Sequence, residues 1–297
     1  MGKADELLIG AIDMHCHAYP EFSLEMPNRY SEEQNATLMK EAGMGGVVFK
    51  SHFWPTIMTT QYLKKTLPDF KAFSSITLNN CVGGLKIWAL EAAAKLGASV
   101  VFMPTWSAAN DVRRGGMSHF IGQYLPSLAK QDMNEAISLT DGHGKLINEA
   151  REILLYVKEC ELPLFTSHIS PKESIALARE AKKIGYKKLV FSHPDSKSVG
   201  ADFEDIVAMA ELGAYVEICA LGLMPLYQRI TPTEFARIIK KIGADKCILT
   251  TDYFFEWAPS VPEQLRMLIA SLLGVGVSEE EIRKMARLNP EILLNFS

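Results

Sequence analysis

At 297 residues, with 48% hydrophobic and 22% charged side chains, the chain has the composition of an ordinary globular protein and can bury a large core. A formal net charge of -4 and a pI near 6.0 leave no basic footprint for nucleic acid, and no apolar run reaches the roughly 18 residues of a membrane span. These totals argue against nucleic-acid and membrane partners and point to a small-molecule substrate, with a homodimer as the commonest default assembly. The five cysteines, Cys16, Cys81, Cys160, Cys219 and Cys247, are odd in number, widely spaced and without a CxxC, so they read as reduced thiols of a cytoplasmic protein. The opening MGKADELL carries charges where a secretory signal needs an uninterrupted apolar stretch.

Eight short apolar runs recur, each followed by a longer segment of helical periodicity. In order they are LLIGAIDMHCH (7–17), GGVVFKSHF (45–53), KAFSSITLN (71–79), ASVVFMPTW (98–106), LPLFTSHI (162–169), KLVFSHPD (188–195), AYVEICALG (214–222) and CILTTDYFF (247–255). SPKE (170–173), TPTE (231–234) and SEEE (278–281) have capping-box spacing, two with Pro at the first helical position. Gly43, Gly97, Gly185, Gly213, Gly243 and Gly274 each close a helix-like run, as a left-handed C-cap would. Alternation of this kind predicts a parallel sheet and, at eight units, a (β/α)8 TIM barrel of α/β class. A doubly wound sheet would more often carry a Gly-rich turn after its first strand, where this chain has histidines. No composition break divides residues 1–297, so a single domain is expected, with the long connection 107–144 as a candidate lid.

Strand alternation sends residues i and i+2 to one face, so His15 and His17 can converge on one point. His168, His193 and Asp252 fall near the ends of the fifth, sixth and eighth predicted strands, on what would be one rim of a barrel. A lone strand-end histidine is usually a hydrogen-bonded core residue, but four with an aspartate read as a metal site. Imidazole nitrogens with a carboxylate suit a divalent transition metal, zinc first, with manganese or iron as alternatives.

DMHCH (13–17), TSH (166–168), FSHP (191–194), TTD (250–252) and the closing NPEILL (289–294) together resemble the amidohydrolase superfamily of metal-dependent hydrolases, over nearly the whole chain. The resemblance implies that His15 and His17 bind one ion with Asp252. It also implies that His168 and His193 bind a second ion, or divide into a ligand and a substrate-facing residue. Asp252 would further act as general base toward the water that the metal activates. Two-metal members of the superfamily usually carry a bridging lysine or glutamate at the end of strand four, whereas here that strand ends MPTW, Met103 to Trp106. The second strand ends FKSH, and its alternation puts Lys50 and His52 on one face; if inward, both reach the site. Lys50 could become a carbamate ligand, stay neutral as a base, stay charged to hold an anion, or snorkel outward.

Arg113 and Arg114 could clamp a substrate carboxylate or phosphate, or form a solvated loop face. Trp54, Trp106 and Trp257 could wall an apolar pocket or serve as loop packing. Asp13 shares the face of the histidine pair and reads either as an orienting carboxylate or as a buried structural one. Cys16 reads as a buried core thiol, and His119 and His143 as surface or lid residues. The function that follows is metal-dependent hydrolysis of an amide, lactone, cyclic imide or related ester bond. The alternatives are a metal-dependent decarboxylase or lyase on the same barrel, and a non-catalytic metal-binding scaffold. A phosphoesterase of the polymerase-and-histidinol-phosphatase type is less well matched, because it would need a late D-x-H where this chain has Asp252-Tyr-Phe.

Overall fold

A computed structural model describes residues 2–128 and 133–296. Among these, nine strands follow in order: β1 (Ile12–His17), β2 (Gly46–Lys50), β3 (Lys71–Phe73), β4 (Ser75–Thr77), β5 (Val100–Phe102), β6 (Leu164–Phe165), β7 (Leu189–Phe191), β8 (Tyr215–Cys219) and β9 (Cys247–Thr250). Each of the eight expected runs holds a strand. The third is broken at Ser74 into β3 and β4, which makes nine segments. The first run is also shorter than its apolar stretch: Leu7 and Leu8 belong to the helix Lys3–Leu8, and Gly10, at a φ of 78°, turns the chain into β1.

The chain forms two compact units. The first comprises Met1–Ser51, Thr56–Ser75 and Glu217–Ser297. In it β1, β2 and β3 pair in that order, in parallel. Just past β9, Tyr253 bridges in parallel to Cys16, and its carbonyl accepts the His17 amide at 2.9 Å. The pairing of β1 with β2 slips between Asp13 and Cys16, where β1 holds one residue more than its partner. Such bulges re-aim side chains, and this one contains His15.

The second unit comprises His52–Pro55 and Ile76–Val216. Its strands follow the order β4, β5, β6, β7 and the start of β8, whose residues from Glu217 on belong to the first unit, with parallel pairing from β5 to β8. Strands β1, β2, β5, β7, β8 and β9 are buried along their full length, as parallel strands covered on both faces are.

The helices begin where the sequence signals them. Ser170, Thr231 and Ser278 cap their helices with reciprocal boxes, and Ser31 and Asp202 add two more. Helix Pro232–Ile242 turns Phe235, Ile238 and Ile239 inward, a spacing of three and four, each worth about 1.5–3 kcal/mol when fully buried. Five of the six expected C-terminal glycines take positive φ; Gly274 instead stays inside the helix Val261–Gly274, and Gly276 takes the positive φ two residues later. The connection 107–144 carries the helices Ala109–Arg114 and Met117–Ile121, while its residues 129–132, part of the candidate lid, lie outside the described residues. No helix among the described residues is long and apolar enough to cross a membrane.

Candidate metal centre

Four of the residues singled out in the sequence meet in the first unit. Asp252 Oδ1 lies 3.2 Å from His15 Nε2 and 3.2 Å from His17 Nε2, and Lys50 Nζ lies 2.9 Å from His15 Nε2. His15, His17 and Lys50 are buried, while the Asp252 side chain keeps 13% of its surface. Asp252 holds its place through the backbone: its amide donates to the His15 carbonyl at 2.9 Å, and its φ is 52°. Left-handed backbone at a non-glycine residue costs about 1 kcal/mol or more and is least costly for Asn and Asp.

The opposite edges of these imidazoles face carboxylates. His15 Nδ1 stands 2.8 Å from Glu217 Oε1, which also accepts the Thr250 hydroxyl at 3.0 Å. His17 Nδ1 stands 3.3 Å from Glu21 Oε1. Burial pushes the Lys50 amine below its ordinary range, and the nearby carboxylates of Asp252, Glu21 and Glu217 oppose that shift. Asp13 touches backbone rather than an imidazole ring: it accepts the His15 amide, the Thr251 amide and the Thr251 hydroxyl, tying β1 to the segment after β9. Burial pushes its carboxyl up to about 7 against those hydrogen bonds.

The second unit gathers the other imidazoles. The His168 ring centroid lies 5.1 Å from that of His193 and 6.3 Å from that of His52. His168 Nδ1 stands 2.8 Å from Asp111 Oδ1, and His193 Nδ1 stands 3.1 Å from Ser196 Oγ. Asp111 is fully buried; burial alone would raise its carboxyl, but His168 and the hydrogen bonds from Ser118 and Ser198 bring it down to about 2. His52 is fixed by its carbonyl, which accepts from Asn79 Nδ2 at 2.8 Å and from Trp106 Nε1 at 3.0 Å. Lys50 closes β2 and meets His15; His52 lies just beyond the strand, its ring beside that of His168.

Trp106 is buried and Trp54 is 66% exposed. Trp257 stacks on Phe255 at 5.0 Å. Arg113 and Arg114 lie exposed at the end of helix Ala109–Arg114, where Arg114 Nε donates to the Lys197 carbonyl at 2.6 Å. Glu217, Glu21 and Asp111 are the participants that sequence reasoning missed. Glu217 does leave a signal, a carboxylate inside the apolar run AYVEICALG.

The donor set of the first unit fits a divalent transition ion. Ligand atoms about 2.0–2.2 Å from a tetrahedral zinc stand about 3.3–3.6 Å from one another, near the 3.2 Å at which Asp252 Oδ1 meets both Nε2 atoms. His15, Glu217 and Cys219 also bring donor atoms within 4.8 Å of one another. There, however, Nδ1 and Oε1 approach to 2.8 Å, closer than two ligands of one ion stand, the arrangement of a carboxylate orienting a ligand histidine rather than sharing an ion with it.

Solved structures of low identity share this fold. An amidohydrolase from Pseudomonas aeruginosa superposes with a TM-score of 0.67 at 14% identity, covering 99% of this chain and 97% of that one. The probable dipeptidase PvdM from Pseudomonas aeruginosa gives 0.67 at 12% identity, over 98% and 96% of the two chains. A 2,6-dihydroxybenzoate decarboxylase complexed with 2,6-dihydroxybenzoate gives 0.59 at 11%, over 97% and 100%. No curated protein matches the chain. The chain thus shares the α/β fold of these proteins, the class the alternating strands and helices of the sequence led one to expect. Residues 10–217 match DUF6282, a family of unknown function, and the chain belongs to it.

Proposed function

We propose that the protein is a metal-dependent hydrolase acting on an amide, lactone, cyclic imide or related ester bond. The observation that carries this reading is the position of Asp252 Oδ1, 3.2 Å from the Nε2 atoms of both His15 and His17. These three residues would hold the ion, with zinc the first choice for an imidazole and carboxylate set and manganese or iron the alternatives. A bound ion of this kind lowers the pKa of water toward neutrality and polarises the oxygen of the bond under attack. Asp252 takes the proton from the attacking water and returns it to the leaving group. Lys50, buried beside His15, places a donor against the developing negative charge or supplies a further ligand as a carbamate.

His168 and His193 offer a second pair of imidazole nitrogens, and we assign them the ligand or substrate-facing role implied by the superfamily resemblance. His52, packed edge-on against His168, belongs to the same group. Arg113 and Arg114 are assigned to an anionic group of the substrate, and Trp54 and Trp106 to its apolar part.

A second reading, one-metal decarboxylation, draws on the end of β5. Met103–Trp106 supplies no bridging acid, and Thr105 there is committed to Asn79 through its amide and hydroxyl. The deciding experiment incubates the enzyme with zinc, manganese or iron and a panel of amides, lactones, esters and aromatic acids, scoring hydrolysis products against released carbon dioxide. Hydrolysis without carbon dioxide supports the first reading. Carbon dioxide alone replaces it with the second, and loss of both in every metal form leaves a scaffold.

A further inference from the structure

Each unit holds one imidazole whose Nδ1 is held by a buried carboxylate at 2.8 Å: His15 by Glu217 and His168 by Asp111. We propose that Glu217 and Asp111 are positioning residues that fix these two histidines as the Nδ1–H tautomer, so that each presents the lone pair of Nε2 to a cation. The inference rests on the metal reading above and adds to it two residues that touch neither ion nor substrate.

An ionised carboxylate only accepts hydrogen bonds, so a close Nδ1 partner must carry the proton. Asp111 is committed to accepting on both oxygens. Its Oδ1 receives the Met117 amide at 2.9 Å and its Oδ2 the Ser118 amide at 2.7 Å, so neither oxygen can turn away. Gly116 is what lets that loop close, since a Cβ there would run into Asp111 Oδ1 and Ser198 Oγ. The His168 backbone is pinned as well: its amide donates to the Pro104 carbonyl at 3.1 Å, and its carbonyl accepts from Asn110 Nδ2 at 3.1 Å.

Around His15, Glu217 Oε1 at 2.8 Å from Nδ1 stands closer than Asp252 Oδ1 at 3.2 Å from Nε2, and Lys50 sides with Glu217 in favouring the proton on Nδ1. Glu217 Oε1, already accepting from Thr250, needs a proton on Nδ1. Lys50 Nζ, at 2.9 Å, can donate to an unprotonated Nε2. His193 differs, because Ser196 Oγ can donate or accept and dictates no tautomer.

The test uses the full-length, chelator-treated protein labelled with 15N histidine, at a pH where the imidazoles are neutral. Long-range 1H–15N correlation separates the two ring nitrogens, and His15→Gln and His168→Gln assign the signals. Both histidines are expected with a protonated Nδ1 and a bare Nε2; a protonated Nε2 at either position overturns the proposal for that pair. In Glu217→Gln and Asp111→Asn the paired histidine is expected to lose its single tautomer. Zinc affinity, read by competition with a chromogenic chelator, is expected to weaken by about 10- to 100-fold. Variants that keep both the tautomer and the affinity of the wild type overturn the positioning role. Should a variant fail to fold, the wild-type spectrum still decides. A wild type with locked tautomers that binds no divalent ion would sink the metal reading and leave the tautomer assignment standing.

Discussion

Lys50 Nζ and His15 Nε2 stand 2.9 Å apart, with 1% and 0% of their residues exposed. A lysine in that place is part of whatever His15 does, either as donor, as charge or as carbamate. Lys50→Ala is therefore expected to lower kcat by about 10²-fold or more, the scale of losing a positioned donor or proton carrier. Metal content measured in parallel with and without bicarbonate separates these roles. A bicarbonate-dependent difference in the wild type that vanishes in the variant marks a carbamate. Unchanged activity and metal content remove Lys50 from the centre.

Asp252 bridges the Nε2 atoms of His15 and His17 from a left-handed backbone, so the substitution that isolates its chemistry is Asn, which tolerates that φ. Asp252→Asn is expected to fold as the wild type does and to lose about 10²–10⁴ in kcat, the range for removing a general base. Asp252→Ala should also lose stability, by about 1 kcal/mol, from the positive φ. Chemical denaturation of the two variants side by side checks the separation; equal stability would contradict it.

Thr251 gives Asp13 two hydrogen bonds, from its amide and its hydroxyl, inside a fully buried site. Thr251→Val removes one donor from a carboxyl that water cannot reach. Its expected cost is about 1–3 kcal/mol in urea unfolding. A change under a few tenths would mean the hydroxyl contributes little.

Asp111 sits at about 2, below the ordinary 3.8, because His168 and several donors outweigh burial. A carboxyl held lower in the folded state stabilises the fold above pH ~4 and loses that contribution as pH falls toward 2. Lowering the carboxyl from 3.8 to about 2 contributes about 2 kcal/mol to the folded state. The stability gap between wild type and Asp111→Asn, measured by denaturation in the apo protein, is expected to narrow steadily between pH 4 and pH 2. A gap that stays constant there would contradict the assignment.

How far the sequence carried can be seen at particular residues. The strands were legible because parallel strands covered on both faces read as apolar runs, and His15, His17 and Asp252 sat at their ends. The bulge inside β1 was not legible, since one extra residue leaves an apolar run unchanged. The helix does end at Gly274, but the left-handed glycine expected there is Gly276, two residues on, since both glycines satisfy the same capping rule. Asp111 was hidden beside Arg113 and Arg114: its partner His168 is 57 residues away, and no local pattern links them.

His15, His17 and Asp252 together are expected to bind one divalent ion. Isothermal titration of zinc into chelator-treated wild type, His17→Ala and Asp252→Asn measures it. Tight, stoichiometric binding to the wild type that collapses in both variants is the predicted result. Binding that is absent from the wild type, or equally tight in all three proteins, would contradict it.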